Sequence, residues 1–161
     1  MKTETTTRIN AVELLKQDHE KVKGLFKEFM ESGERATKTR ERLSQQIFLE
    51  LEVHSKLEEE IFYPAYCQAA KEQGEDIVAE SLEEHHVVDL LIGELKALTP
   101  EAENFEPKMK VLCENVQHHI EEEEEEMLNK AGRFLGDKLE TLGQQMAARK
   151  KELMGQMKMA A

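Results

Sequence analysis

The chain has 161 residues, 39% hydrophobic and 35% charged, with no Trp, two Tyr and three Pro. That length suits one domain, and the composition argues against an aromatic, β-branched sandwich in favour of helices built from Glu, Lys, Leu, Ala and Met. Its 34 acidic against 22 basic residues give a net charge of −12, which repels a phosphate backbone and sets nucleic acid aside as a partner.

Met1 to Arg8 lacks the apolar stretch of a signal peptide, and no apolar run approaches the ~20 residues of a membrane span. Cys67 and Cys113 form neither a CxxC nor a metal spacing. A cytoplasmic protein with reduced thiols and no membrane partner is expected. Residues 1–9 read as a polar, frayed tail. Asn10 followed by Glu13 forms a capping box that opens a first helix running to about Glu31, ended by Ser32-Gly33. A second helix starts near Thr39 and continues toward Gln73, interrupted or kinked at Pro64. Gly74 separates it from a third helix ending near Leu98. Residues 99–107 form the longest loop, and Pro107 suits the first turn of a fourth helix. Gly132 and Gly136 break the pattern before a fifth helix with Leu139, Leu142, Met146 and Leu153 on its apolar face.

Each of the first four helices carries an apolar stripe at steps of three and four. The stripes are Val12, Leu15, His19, Val22, Phe26, Phe29; then Ile47, Leu51, His54, Glu58, Phe62; then Val78, Leu82, His85, Val88, Ile92, Leu95; then Met109, Leu112, Val116, His119, Glu123, Met127. Every stripe has a histidine in its middle, and two carry a glutamate one turn later. His19 and His54 are 35 residues apart, His85 and His119 34. Asp18-His19-x-x-Val22 recurs as Glu84-His85-x-x-Val88, and His54-x-x-x-Glu58 as His119-x-x-x-Glu123. Two helix hairpins with matching polar insertions imply a pseudo-twofold site between them.

A lone histidine on an apolar face is ordinarily a satisfied core residue. Two carboxylates on core stripes are different, because a glutamate taken out of water costs several kcal/mol unless it is paired or ligates a metal. No Arg or Lys lies on the four stripes. Two divalent metals supply the missing charge, and imidazole with carboxylate on facing helices is how bundle metal sites are built. A ferritin-like di-iron site needs two Glu-x-x-His motifs; the chain offers one, Glu83-x-x-His86, off the stripe. Without metal, Glu58 and Glu123 lack a counter-charge, so their pKa values are expected to rise.

The array Asp18-His19, His54-Ser-Lys-Leu-Glu58-Glu59 through Pro64, Glu84-His85-His86 and His118-His119-Ile-Glu-Glu-Glu123-Glu124, over about residues 11–130, resembles the hemerythrin-like (HHE cation-binding) domain. The resemblance implies an all-α, antiparallel up-down four-helix bundle, here with an extra C-terminal helix. It implies two non-haem Fe ions, oxo- or hydroxo-bridged, on His19, His54, Glu58, His85, His119 and Glu123, the two glutamates bridging. The oxygen-carrying members have a further histidine where this chain has Asp89, read here as a non-ligand. The domain division expected is 1–9 as tail, 10–131 as bundle and 132–161 as C-terminal helix and tail.

The resemblance implies binding of O2 or a related small ligand, for sensing, storage or an oxidative-stress role. An enzyme acting on peroxide or nitric oxide, and a structural or Zn-binding bundle, remain the alternatives, with a monomer or weak oligomer in each case. With roughly one open position per iron, irreversible oxidation is expected over reversible carriage. His86 and His118 read as rim residues, Glu59 and Glu124 as solvent-facing or supporting, and Tyr63 and Tyr66 as packing. Phe62 and Leu51 are expected to wall the site, and Cys113 to act as a small buried hydrophobe.

Overall fold

The computed structural model describes residues 8–160, and the regular elements among them are all helical. Helix α1 spans Ala11–Glu31. Its capping box forms as the sequence predicts: the Glu13 amide donates to Asn10 Oδ1 and the Asn10 amide to Glu13 Oε2, both at 3.0 Å. Arg8 and Ile9 are held rather than frayed, Arg8 by Glu140 at 3.2 Å and Ile9 by apolar packing; residues 1–7 of the expected tail lie outside the described residues.

Helix α2 spans Thr37–Leu57 and passes into a widened, π-helical turn at Glu58–Phe62, then α3 at Tyr63–Ala70. Pro64 falls in the first turn of α3, where its missing N–H is least costly. The chain reverses at Lys71, whose φ is 53°, and α4 runs over Glu72–Lys96. The break expected at Gly74 is therefore misplaced. Gly74 lies inside α4, where a Cβ would sit 2.9 Å from Ala70 Cβ and 3.1 Å from the Tyr66 ring. It permits close helix approach, not chain reversal.

Helix α5 covers Phe105–Glu122 with Pro107 in its first turn. A second π-helical turn, Glu123–Leu128, leads into α6 at Asn129–Leu135. Gly132 does not interrupt α6; Gly136, with φ 51°, ends it. Helix α7 spans Lys138–Ala160.

Helix α1 packs on α2 and α4 on α5, while α3 and α6 prolong the second and fourth rods against each other. The result is an antiparallel four-helix bundle, with α7 laid against α1, α2 and the first π turn. Met146 and Leu153 anchor α7, and Gly143 lets it cross the start of α1, since a Cβ there would lie 2.4 Å from the Ile9 carbonyl oxygen. Arg40 ties one end of the bundle together through Glu106 at 2.8 Å and the Ser32 carbonyl at 3.1 Å.

The apolar interior is in two parts. One holds Phe26, Phe29, Ile47, Leu51, Ile92, Met109 and their neighbours. The other holds Leu15, Leu57, Phe62, Tyr66, Met127 and the inner face of α7. Along α1, Leu15 belongs to one and Val22 to the other, with His19 between. A polar layer thus crosses the middle of the bundle.

Candidate metal centre

That layer is built from one residue set on each rod. Helix α1 contributes His19, α2 His54 with Glu58 just beyond it, α4 His85, and α5 His119 with Glu123 just beyond it. All six are buried, and Glu58 is 0% exposed. The histidines face each other in two pairs: the Nε2 atoms of His19 and His54 are 3.2 Å apart, as are those of His85 and His119. Both glutamates are shared between the pairs. Glu58 Oε1 lies 3.0 Å from His54 Nε2 and 3.4 Å from His85 Nε2. Glu123 Oε1 lies 3.5 Å from His19 Nε2, and its Oε2 3.3 Å from His119 Nε2.

The opposite ring nitrogens are all held by carboxylates. His54 Nδ1 faces Asp18 at 3.1 Å and His119 Nδ1 faces Glu84 at 2.9 Å. His85 Nδ1 faces Glu59 at 2.8 Å and His19 Nδ1 faces Glu124 at 2.9 Å. Such partners fix Nδ1 as the donor, so each neutral ring turns a lone pair inward on Nε2. Glu59 and Glu124 therefore support ligand rings even though each is partly exposed. Asp18 and Glu84 do the same from the residue preceding His19 and His85.

Both oxygens of Glu58 and Oε1 of Glu123 lack a hydrogen-bond partner. Buried carboxylate oxygens are rarely left so. Four inward lone pairs around two such carboxylates suit divalent cations, and two groups of donor atoms can close on a cation: His19, His54, Glu58 and Glu123, and Glu58, His85 and His119.

Without metal, protons take that role. Burial opposes a charge on His54, but Glu58 and Asp18 outweigh it and hold its pKa well above the ordinary value. His119 is pushed up to about 10 by its bonds to Glu123 and Glu84, against burial. Burial is the largest single influence on Glu58 and raises it, yet the His54 charge and the hydrogen bonds with Glu123, His54 and His85 together outweigh it and hold Glu58 well below the usual carboxylate range. The rise expected for Glu58 is thus reversed, because without metal the histidines of the stripes themselves take up protons and supply the counter-charge.

Tyr63 is more than packing. Its hydroxyl donates to Glu123 Oε2 at 2.6 Å and lies 3.3 Å from His85 Nε2. Burial, with the charges of Glu58 and Glu123, pushes the phenol well above its usual pKa, so it keeps its proton. Tyr66 stacks on Phe62, a packing residue as expected. A cavity of about 20 Å³ adjoins the four histidines, closed by Val22, Leu51, Val88, Val116 and Ile120. Leu51 walls it as expected; Phe62 does not line it and belongs to the part of the core around Leu15, Leu57 and Tyr66. Asp89, His86 and His118 are exposed, and His118 pairs with Glu122 at 3.1 Å. Cys113 is buried in the part of the core around Phe26, Ile92 and Met109.

Two features escaped the sequence reading. Each of the two π turns opens on a glutamate and adds one residue to the turn, so that after the buried Phe62 the buried positions are Tyr63, Tyr66 and Ala70, where a plain helix would continue with Ala65 and Ala69. The apolar run Leu128, Ala131, Leu135 carries the same one-residue phase slip after Glu123. That slip is the signal. The second feature is Lys150 of α7, which pairs with Asp18.

Comparison with known proteins bears on the fold and the family. The profile of the hemerythrin HHE cation binding domain matches residues 10–131. An uncharacterized protein of Mycobacterium tuberculosis is 32% identical over 152 residues, covering 91% of this chain and 89% of that protein. A DNA nickase of Nostoc is 30% identical over 116 residues, 72% of this chain but 32% of that protein. The crystal structure of a hemerythrin HHE cation binding domain-containing protein from Mycobacterium kansasii, a homologue of the Mycobacterium tuberculosis protein, superposes with a TM-score of 0.79 at 27% identity, covering 92% of this chain and 89% of that one.

Proposed function

Because the chain belongs to the hemerythrin HHE cation-binding family, we propose that its cage holds two non-haem iron ions and reacts with or binds O2, or a related ligand such as peroxide or nitric oxide, in sensing, storage or oxidative-stress defence. The observation that carries this reading is the pair of two-histidine clusters sharing two buried glutamates that have three unpartnered oxygens between them. Mixed imidazole and carboxylate donors suit iron, and shared carboxylates suit two ions held close together. Two such ions would supply the electrons for reducing a bound oxygen species.

The remaining parts of the site would govern what reaches that centre. Val22, Leu51, Val88, Val116 and Ile120, together with Asp18, Ser55 and the four histidines, line a space of about 20 Å³, enough for a water or a diatomic molecule and little else. Tyr63 holds a proton 2.6 Å from Glu123. Asp89 stays outside the cage, so the two halves offer two histidines each and neither ion has a third. That balance favours two open positions, and hence irreversible oxidation over reversible carriage. On this reading the protein is cytoplasmic, a monomer or weak oligomer, with no nucleic-acid or membrane partner. No helix among the described residues is long and apolar enough to cross a membrane.

The test is to mix anaerobic, reduced, iron-loaded protein with O2 and then remove the gas. Permanent loss of the reduced state is expected. A long-lived oxygenated spectrum that reverts to the reduced protein would make the chain a carrier instead.

A further inference from the structure

The two halves of the cage match residue for residue. Asp18 corresponds to Glu84, His19 to His85, His54 to His119, Glu58 to Glu123 and Glu59 to Glu124, and the hydrogen bonds repeat in the same pattern. The match fails on charge at one point. Asp18 gives Oδ2 to His54 and Oδ1 to the ammonium of Lys150, a quarter-exposed side chain reaching over from α7. Glu84 holds His119, and no Lys or Arg pairs with it among the described residues. Helix α7 packs on α1, α2 and the first π turn, so it reaches only one side of the pseudo-twofold axis.

We propose that Lys150 makes the two metal positions unequal, so that the first ion enters the His85/His119 half and the His19/His54 half fills second. This rests on the two-ion reading above. Two effects act in the same direction. A carboxylate shared with an ammonium is a weaker acceptor for the imidazole N–H, so His54 is a poorer electron donor than His119. The ammonium also adds a positive charge on the outer side of His54, on the half that must accept a dication, and like charges repel. Tyr63 breaks the symmetry on the other half, but its hydroxyl is neutral and occupies only one lone pair of Glu123 Oε2. A dipole there is a smaller perturbation than a full charge here. Lys150 is thus a positioning residue, acting through Asp18 and His54 without touching the ion.

The experiment follows the first equivalent of Zn(II), a redox-inert probe, added to the metal-free full chain, by the ring-nitrogen NMR signals of its histidines. In the wild type the His85 and His119 signals move first, and those of His19 and His54 only with the second equivalent. Lys150→Met is expected to tighten the second position about tenfold, the lower end of the range for a change at a supporting residue, and to spread the first equivalent over both halves. Lys150→Arg keeps the charge and the wild-type order, which a merely structural role for the side chain would not require. Lys151→Met, one residue along α7, also keeps it. An even distribution in the wild type, first filling of His19/His54, or a wild-type order in Lys150→Met each overturns the proposal while leaving the two-ion cage intact. Uptake of fewer than two ions by the wild type overturns the cage itself.

Discussion

The α1/α2 half and the α4/α5 half of this bundle solve one problem twice. Each brings a histidine pair to the midline, holds the outer nitrogens with carboxylates, and sends a glutamate across to be shared. The halves differ in what lies outside them. The first is covered by α7 and has Lys150 on its Asp18; the second leaves Glu84 facing water and has Tyr63 inside. The bonds that hold the histidine rings are therefore duplicated, whereas the carboxylate donors within reach, the charge and the proton supply are not. On the proposed two-ion reading, the repeat would set how many ions the cage takes and the additions would distinguish one position from the other.

The strongest way to break the comparison is to remove what both halves share. Glu58→Gln takes the charge from the carboxylate that touches His54 and His85, and metal analysis is expected to find both ions lost. Retention of two would mean that the carboxylate is not shared. His119→Ala removes a donor from one half and should cost one ion, whereas His118→Ala, at an exposed residue outside the cage, should keep two. Equal loss from both variants would reject the register of α5.

That register was legible because apolar residues three and four apart single out one face of a helix; His19, His54 and His119 sit between stripe residues that turn out buried, whereas beside His85 the stripe residue Leu82 is exposed and Ser81 is buried instead. The pairing of His19 with His54 and of His85 with His119 followed from the internal repeat. The surrounding carboxylates were less legible. Glu59 and Glu124 look like members of acidic runs on a solvated face, and only the widened turn swings each onto a ring nitrogen. π turns are frequent at functional sites, and here they leave a trace in the one-residue slip from Glu58 to Tyr63 and from Glu123 to Leu128. Lys150 was not legible at all, since nothing in local periodicity says which face α7 covers.

Metal removal gives the next largest effect. An ion present at about a thousand times its Kd adds about 4 kcal/mol to the native state, which for a chain of this size is a shift in Tm on the order of 10 °C. Scanning calorimetry of metal-free and loaded protein checks it, and coincident midpoints would contradict the site.

The metal-free form carries a pH signature. His54 and His119 are raised in the folded state. Their contribution is full below the unfolded histidine value of about 6.5 and is lost as pH rises through the folded value, about 10 for His119. Glu58 is lowered, so its contribution is present above the ordinary carboxylate value and lost as pH falls through its folded pKa. Metal-free protein should therefore lose stability between pH 7 and pH 10, on the order of a few kcal/mol, with little loss in the loaded form. Chemical denaturation at the two pH values measures it. No difference between the forms would mean that protons and metal do not compete for the same nitrogens.

The smallest effect lies away from the cage. Asn10→Ala removes the side-chain acceptor that caps α1 and should lower stability by about 1 kcal/mol, with metal content unchanged. Loss of metal in that variant would show that the cage depends on the end of α1 more than its geometry suggests.

Anomalous X-ray scattering at the iron edge, from crystals of the iron-loaded protein, tests the central claim most directly. The account predicts two peaks per chain, one beside the Nε2 atoms of His19 and His54 and one beside those of His85 and His119, with Glu58 and Glu123 reaching both. A single peak between the pairs, or density only at the surface group of Glu84, His118 and Glu122, would contradict it.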